Sequence, residues 1–213
     1  MKYGWIWKIP LQHRCGAGYI VDSDYVSDEH AFNEAQQMFP GIEYTRTIEF
    51  NAGRYEKVWI NNCISIGLSS GFTEPLEATS LWMATEQLRL LEHFMFTDND
   101  WEKEDYNMII ANNNDIVMEF LYLHYMTNRN DSPFWREFRR WNKLEGFDKK
   151  LENIKRGNMK WFHFTKDKIP CAFSLASWLH VAEGLGLVEN ISIEGYENLH
   201  PTVEEYGIKI LFR

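Results

Sequence analysis

The chain is poor in cysteine: Cys15, Cys63 and Cys171 are the only three in 213 residues, and none forms a CxxC pair. So few, spaced so far apart, cannot make a disulfide framework, and a reducing cytoplasm is the expected compartment. No apolar run approaches the roughly 18–20 residues that a membrane span requires, which argues against a membrane protein. The opening "MKYGWIWKIP" lacks the charged start, apolar centre and cleavage site of a secretory signal. Basic residues are also short: 22 Lys and Arg face 31 Asp and Glu, a formal charge of -9, which argues against nucleic acid, since phosphate demands a basic face. The basic cluster "RNDSPFWREFRRW" is a local exception that reads as a solvated helix face. Among seven histidines there is no HExxH or other metal spacing, so no metal site is expected, and His124 and His180 read as hydrogen-bonded structural residues. No GxSxG marks a serine hydrolase, and no Gly-Lys-Ser/Thr ending marks a P-loop.

What the chain has in excess is aromatic rings: 9 Trp, 10 Tyr and 14 Phe, or 15% of residues. They furnish either an aromatic-rich core or stacking surfaces for a planar ligand. Hydrophobic content of 45% against 25% charged residues describes a globular protein, and the length allows one good core with room for a small second lobe. There is no internal repeat and no low-complexity linker.

The first part of the chain reads as α/β. "YGWIWKIPL", "GYIVD", "TRTIEF" and "KVWINNCISIG" each carry β-branched and aromatic residues up to a polar or glycine stop, and are predicted strands. A strand so near the N-terminus needs a pairing partner, for which an upstream segment is a candidate. "SDEHAFNEAQQMF" is a predicted helix capped by Ser27, with Asp28 and Glu29 at its positive end and Pro40-Gly41 as its stop. From residue 78 helices dominate, over about 80–96, 107–127, 133–144 with Ser132 as cap, and 170–184 closed by "GLG". The charged stretch "DKKLENIKRGNMK" reads as a loop or weak helix, and "YGIKILF" as a last strand or docking segment. The expected division is an α/β region over residues 1–77 followed by a mainly helical lobe over 78–213.

The junction, "GLSSGFTEPLEATS" at residues 67–80, is the most informative stretch. Gly67 and Gly71 permit backbone conformations or close approaches that a side chain would block. The helix that follows points unsatisfied N–H groups back at the loop, a setting that suits an anion or an electron-rich ring edge. Glu74 and Glu77 stand three apart, so a helical turn over 75–79 would bring both carboxylates to one side. An ordinary capped helix, with two acids answering its dipole, would carry the same residues. Pairing them as glycosidase acids has little else to support it.

Three long segments, "WIWKIPLQHRCGAGYIVDSDYVS", "GRYEKVWINNCISIGLSSGFTEPLEATS" and "DIVMEFLYLHYMTNRNDSPFWR", together resemble the C-terminal half of flavin-dependent tryptophan halogenases. The first carries a WxWxIP motif as Trp5, Trp7, Ile9 and Pro10. The resemblance covers roughly residues 3–140, and "SWLHVAEGLGL" extends it more weakly. It implies strands of a flavin-monooxygenase-like sheet followed by a helical substrate lobe. It also implies an enzyme that uses reduced FAD, supplied by a separate flavin reductase, with oxygen and chloride or bromide, to halogenate tryptophan or another indole. By similarity Glu77 is the carboxylate beside the substrate ring, which polarises the electrophile or takes the proton from the arenium intermediate. The backbone amides of Thr79 and Ser80 correspond to the halide cradle. Trp5 and Trp7 resemble the tryptophans that screen the flavin from the substrate side, although core packing explains such residues equally. The stretch from Asn62 to Ser70, including Gly67 and Leu68 and continuing to Gly71, corresponds to backbone that runs along the flavin ring.

Departures from the family pattern are as informative. The GxGxxG turn that holds the ADP part of FAD is absent, "GAG" at 16–18 being too short and after the wrong element, and no lysine matches the one that relays the oxidant. A fragment or split gene completed by a separate FAD-binding half is therefore expected, or a relic inactive as an isolated chain. The alternative class is a non-catalytic module that holds an indole or a partner protein in the same aromatic lobe.

Overall fold

The computed structural model describes residues 1–94, 99–141, 147–155, 173 and 175–188. Its strands are short and antiparallel: β1 (Gly4–Pro10) pairs with β2 (Cys15–Val21), β3 (Gly53–Arg54) with β6 (Gly71–Phe72), and β4 (Trp59–Ile60) with β5 (Cys63–Ile64). The helices are α1 (Asp28–Met38), α2 (Thr79–Phe94), α3 (Asp100–His124), α4 (Pro133–Trp141), α5 (Phe147–Lys155) and α6 (Leu175–Gly184). Packing groups them into two units, one of residues 1–50 with 125–143, the other of 51–124 with 144–213. The predicted tail strand and the start of the predicted 170–184 helix lie outside the described residues, as does Cys171; Cys15 and Cys63 are exposed free thiols.

In the first unit the early strand pairs with β2, in a hairpin whose register sets Trp5 against Ile20 and Trp7 against Gly18. The glycines of "GAG" serve that hairpin. A Cβ at Gly18 would lie 2.4 Å from the Trp7 ring, and one at Gly16 would lie 3.4 Å from it, so the indole packs over the bare backbone of β2. Gly4 is required for another reason: at φ +152 its Cβ would meet the Ile20 carbonyl oxygen at 1.9 Å. Gly18→Ala is expected to destabilise the chain by about 1–3 kcal/mol, as overpacking does, seen as a lower urea midpoint without a change in slope. Trp5 donates its indole N–H to the Tyr125 hydroxyl at 3.0 Å, and Tyr125 stacks on Phe138 with ring centres 4.4 Å apart. The Ser27 and Ser132 caps form as the sequence suggests, accepting from the amides of His30 at 3.4 Å and Trp135 at 3.3 Å.

Two predicted strands do not survive. "TRTIEF" carries no strand pairing, and its Ile48 and Phe50 are exposed at 65% and 41%, because β-propensity without a partner edge fixes nothing. "KVWINNCISIG" is not one strand but the tight hairpin β4–β5, turning at Asn61-Asn62, with Asn61 at φ 54. Asn tolerates that left-handed conformation better than most residues, and tight hairpins need it at their first central position. Helix α3 begins at Asp100, a full turn and more ahead of the expected start, and the charged stretch is helical up to Lys155, as α5, its remainder lying outside the described residues.

The core of the second unit gathers Val58, Trp59, Met83, Leu90, Tyr106, Ile110, Val117 and Leu121. Tyr106 is wholly buried, edge-on to Trp59 at 5.5 Å, and burial pushes its phenol up to about 12 from the usual 10. A raised phenol favours the neutral folded form, so its contribution is complete below about pH 10 and is lost as pH rises through the folded value. Alkaline unfolding of the second unit is therefore expected to begin between those limits, and a Tyr106→Phe chain is expected to show a shallower loss over the same range.

Candidate functional site

The sequence from β4 to α2 is held by buried side chains of α2 and α3. Asn107 of α3 is 4% exposed; its Oδ1 accepts from the amides of Val58 and Trp59, both at 2.8 Å, while Nδ2 donates to the Trp59 carbonyl at 3.0 Å. Arg54 adds a two-pronged bond to Asp115 of α3, at 2.8 and 3.0 Å. On α2, the fully buried Gln87 accepts from the Gly67 amide at 2.7 Å and from the Ser70 hydroxyl at 3.3 Å, and Tyr106 donates to the Gln87 carbonyl at 3.1 Å. Each helix thus supplies an amide side chain that satisfies backbone groups of the β4–α2 segment.

The two junction glycines are required for different reasons. Gly67, at φ +63, opens a 3-10 turn over Gly67–Ser69 and has only Ala84 Cβ near its missing side chain, at 3.6 Å, so conformation is what requires it. Gly71 has ordinary angles, but a Cβ there would lie 2.9 Å from Arg54 Cβ, so the close approach of β3 requires it. Between them Leu68 is 69% exposed, and Asn62 is exposed at the hairpin tip.

The segment before α2 departs from the expectation. Pro75 leads into a 3-10 turn, Leu76–Ala78, closed by an Ala78 amide bond to the Pro75 carbonyl at 3.3 Å. Within it Glu77 (φ 62, ψ 10) and Ala78 (φ 52) are left-handed. The chain therefore does not run as a right-handed turn through 75–79, and the two glutamates do not share a helix side: Glu74 is 8% exposed, whereas the Glu77 side chain is 45% exposed. The first turn of α2 itself contains no acidic residue. Two successive left-handed residues that are not glycine cost about 1–2 kcal/mol each. Such strain persists only where the surroundings fix it, and it concentrates at functional sites.

Thr79 and Ser80 occupy the first two positions of α2, where amides have no carbonyl a turn earlier within the helix. Across from Glu77 stands His124, the last residue of α3, its Nε2 3.4 Å from Glu77 Oε1. The structure thus brings together Glu77, the start of α2 and a histidine for which the sequence offered only a structural role. Gln87 and Asn107 were not anticipated either. Their signal would have been polar residues on the apolar faces of two helices. Among the described residues no cluster of His, Cys, Asp and Glu could hold a metal, and no helix is long and apolar enough to cross a membrane.

Comparison with known proteins identifies the family. The tryptophan halogenase family pattern matches residues 1–199. Tryptophan 6-halogenase SttH of Streptomyces toxytricini is 42% identical over 143 residues, covering 63% of this chain and 27% of that protein. Its crystal structure superposes with a TM-score of 0.78 and 29% identity, over 97% of this chain and 43% of that one. Tryptophan 7-halogenase KtzQ of Kutzneria sp. (strain 744) is 34% identical over 165 residues, 74% of this chain and 31% of that protein. BrvH, a flavin-dependent halogenase from Brevundimonas sp. BAL3, superposes with a TM-score of 0.77 at 30% identity, over 97% of this chain and 42% of that one. The chain spans less than a third of the length of the curated relatives it matches. With a family match over most of its length and the same mixed helix and strand fold as these structures, the chain belongs to the flavin-dependent tryptophan halogenase family.

Proposed function

We propose that this chain supplies the acid and halide side of a tryptophan or indole halogenase that becomes complete with an FAD-binding half. The observation that carries the reading is the left-handed step at Glu77 and Ala78, which sets one carboxylate just ahead of the α2 N-terminus. A halide at the Thr79 and Ser80 amides would meet N–H groups and the positive end of the α2 dipole.

The residues present fit the ring edge of FAD and not its dinucleotide part. Around Gly67–Ser69 the loop offers an exposed leucine and no carboxylate, and it is held by the Gly67 amide bond to Gln87 and the Ser69 hydroxyl bond to the Ile66 carbonyl. Gly67, Leu68, Gly71 and Asn62 would run beside the ring, and Trp5, Trp7, Ile9 and Pro10 of the β1 strand would screen it. Reduced FAD, delivered by a separate flavin reductase and reacting with oxygen, would supply the oxidising power that turns halide into an electrophile. This chain's part is to hold the halide at backbone amides, orient the indole and move one proton. After the ring carbon gains halogen, its C–H bond breaks, the electron pair restores aromaticity, and the proton passes to a Glu77 carboxylate oxygen. By similarity residues 1–77 belong to the flavin and halide side and 78–213 to the substrate lobe.

The test is to combine the chain with an FAD-binding segment of the family and add reduced FAD, tryptophan and chloride or bromide. Halogenated tryptophan is the expected product. The isolated chain is expected to hold FAD weakly or not at all, and stoichiometric binding by the chain alone would contradict this reading.

A further inference from the structure

We infer that His124 is the proton partner of Glu77, a positioning residue that occupies one carboxylate oxygen and leaves the other to the substrate. The catalytic use of the pair rests on the function proposed for Glu77; the pair itself rests on geometry within one packing unit.

The imidazole is fixed from two sides. Its Nδ1 lies 2.9 Å from the Phe120 carbonyl oxygen, one turn earlier in α3, and the Phe120 ring meets it edge-on at 4.9 Å. A carbonyl only accepts, so Nδ1 carries a hydrogen. In a neutral ring that hydrogen leaves Nε2 as a bare lone pair, and Nε2 is the atom 3.4 Å from Glu77 Oε1. A lone pair facing an ionised carboxylate is repulsive, so the contact is favourable only with a proton between the two atoms. Either an imidazolium donates to the carboxylate, or a neutral ring accepts from the carboxylic acid.

The consequence is a division of labour between the two carboxylate oxygens. With His124 on Oε1, the proton leaving the substrate ring is received at Oε2, and the proton already between Oε1 and Nε2 rests on the imidazole. The left-handed backbone at Glu77 places the carboxylate within reach of an imidazole that is only 19% exposed. The 3.4 Å separation is long for a hydrogen bond, as catalytic contacts often are before substrate binds.

The pair can be tested in the chain itself, without flavin. Long-range proton–nitrogen NMR of the 15N-labelled chain reads the protonation of each histidine nitrogen, and a His124→Gln chain assigns the signal. Expected is a His124 ring with Nδ1 protonated even when neutral, and an Nε2 resonance that moves in Glu77→Ala while Nδ1 does not. Glu77→Gln, which keeps the side-chain length, is the second variant in case Glu77→Ala disturbs folding, and it too is expected to move Nε2. A neutral ring with its hydrogen on Nε2, or an Nε2 signal unmoved by both variants, would overturn the pairing. In the assembled enzyme His124→Phe is expected to lower kcat by about ten-fold or more with little change in KM, since a lost positioning contact costs transition-state rather than ground-state binding. His124→Gln, which keeps a donor near Oε1, is expected to recover part of the loss; a kcat unchanged in His124→Phe would overturn the positioning role. A chain that shows the pairing yet yields no halogenated product would contradict the proposed function and leave the pair standing.

Discussion

Glu77→Gln, in the chain combined with an FAD-binding half, is expected to lower tryptophan halogenation by about 100-fold or more while bound flavin is unchanged. The magnitude follows from what a positioned proton acceptor contributes, typically about 10²–10⁴ in rate. The amide keeps the size and much of the hydrogen bonding of the acid, so the left-handed backbone at residue 77 (φ 62) has no new reason to change. It cannot accept the proton. A merely structural glutamate on a 45% exposed side chain would lose little on this substitution, because surface changes away from special features usually stay within about 0.5 kcal/mol. Product per flavin oxidised, followed by chromatography, separates the two. A variant that keeps full turnover would remove Glu77 from its role.

The largest expected effect on stability belongs to Asn107→Leu. Leucine has the same branched heavy-atom skeleton and a better helix propensity, so the helix itself loses nothing by the change. What changes is that the amides of Val58 and Trp59 and the Trp59 carbonyl lose their partner. A buried polar group left unsatisfied costs about 1–3 kcal/mol, so the sum over three is on the order of 3–6 kcal/mol even after partial relaxation. Total stability is only about 5–15 kcal/mol, so the second unit is expected to unfold at a much lower urea concentration. Asn107→Asp, which keeps both accepted bonds and loses the donated one, is expected to fall between. An Asn107→Leu chain as stable as the parent would mean that this asparagine does not anchor the β4–β5 hairpin.

The legible parts of this fold are those where local signals and burial agree. α1 and α4 could be read from Ser27 and Ser132 because a capping hydroxyl acts on amides two or three residues away. The β1 strand was legible from its aromatic and β-branched residues, but its partner was not, since pairing depends on a turn, Leu11–Arg14, closed by a backbone bond of 2.8 Å. "KVWINNCISIG" misled because its composition is strand-like throughout, and only the positive φ of Asn61 shows where it folds back. At the site, Gly67 and Gly71 announced themselves, while the left-handed Glu77–Ala78 step could not be foreseen, because neither residue favours it. His124 looked structural because it is 47 positions from Glu77 in sequence, and only the packing of α3 against α2 brings them together.

The most direct measurement of the central claim is the mass spectrum of tryptophan recovered after the assembled enzyme has turned over with bromide and reduced FAD. The account requires a singly brominated product, recognisable by its paired isotope peaks, that forms only when this chain is present. Flavin oxidised to completion with tryptophan returned unaltered would contradict it.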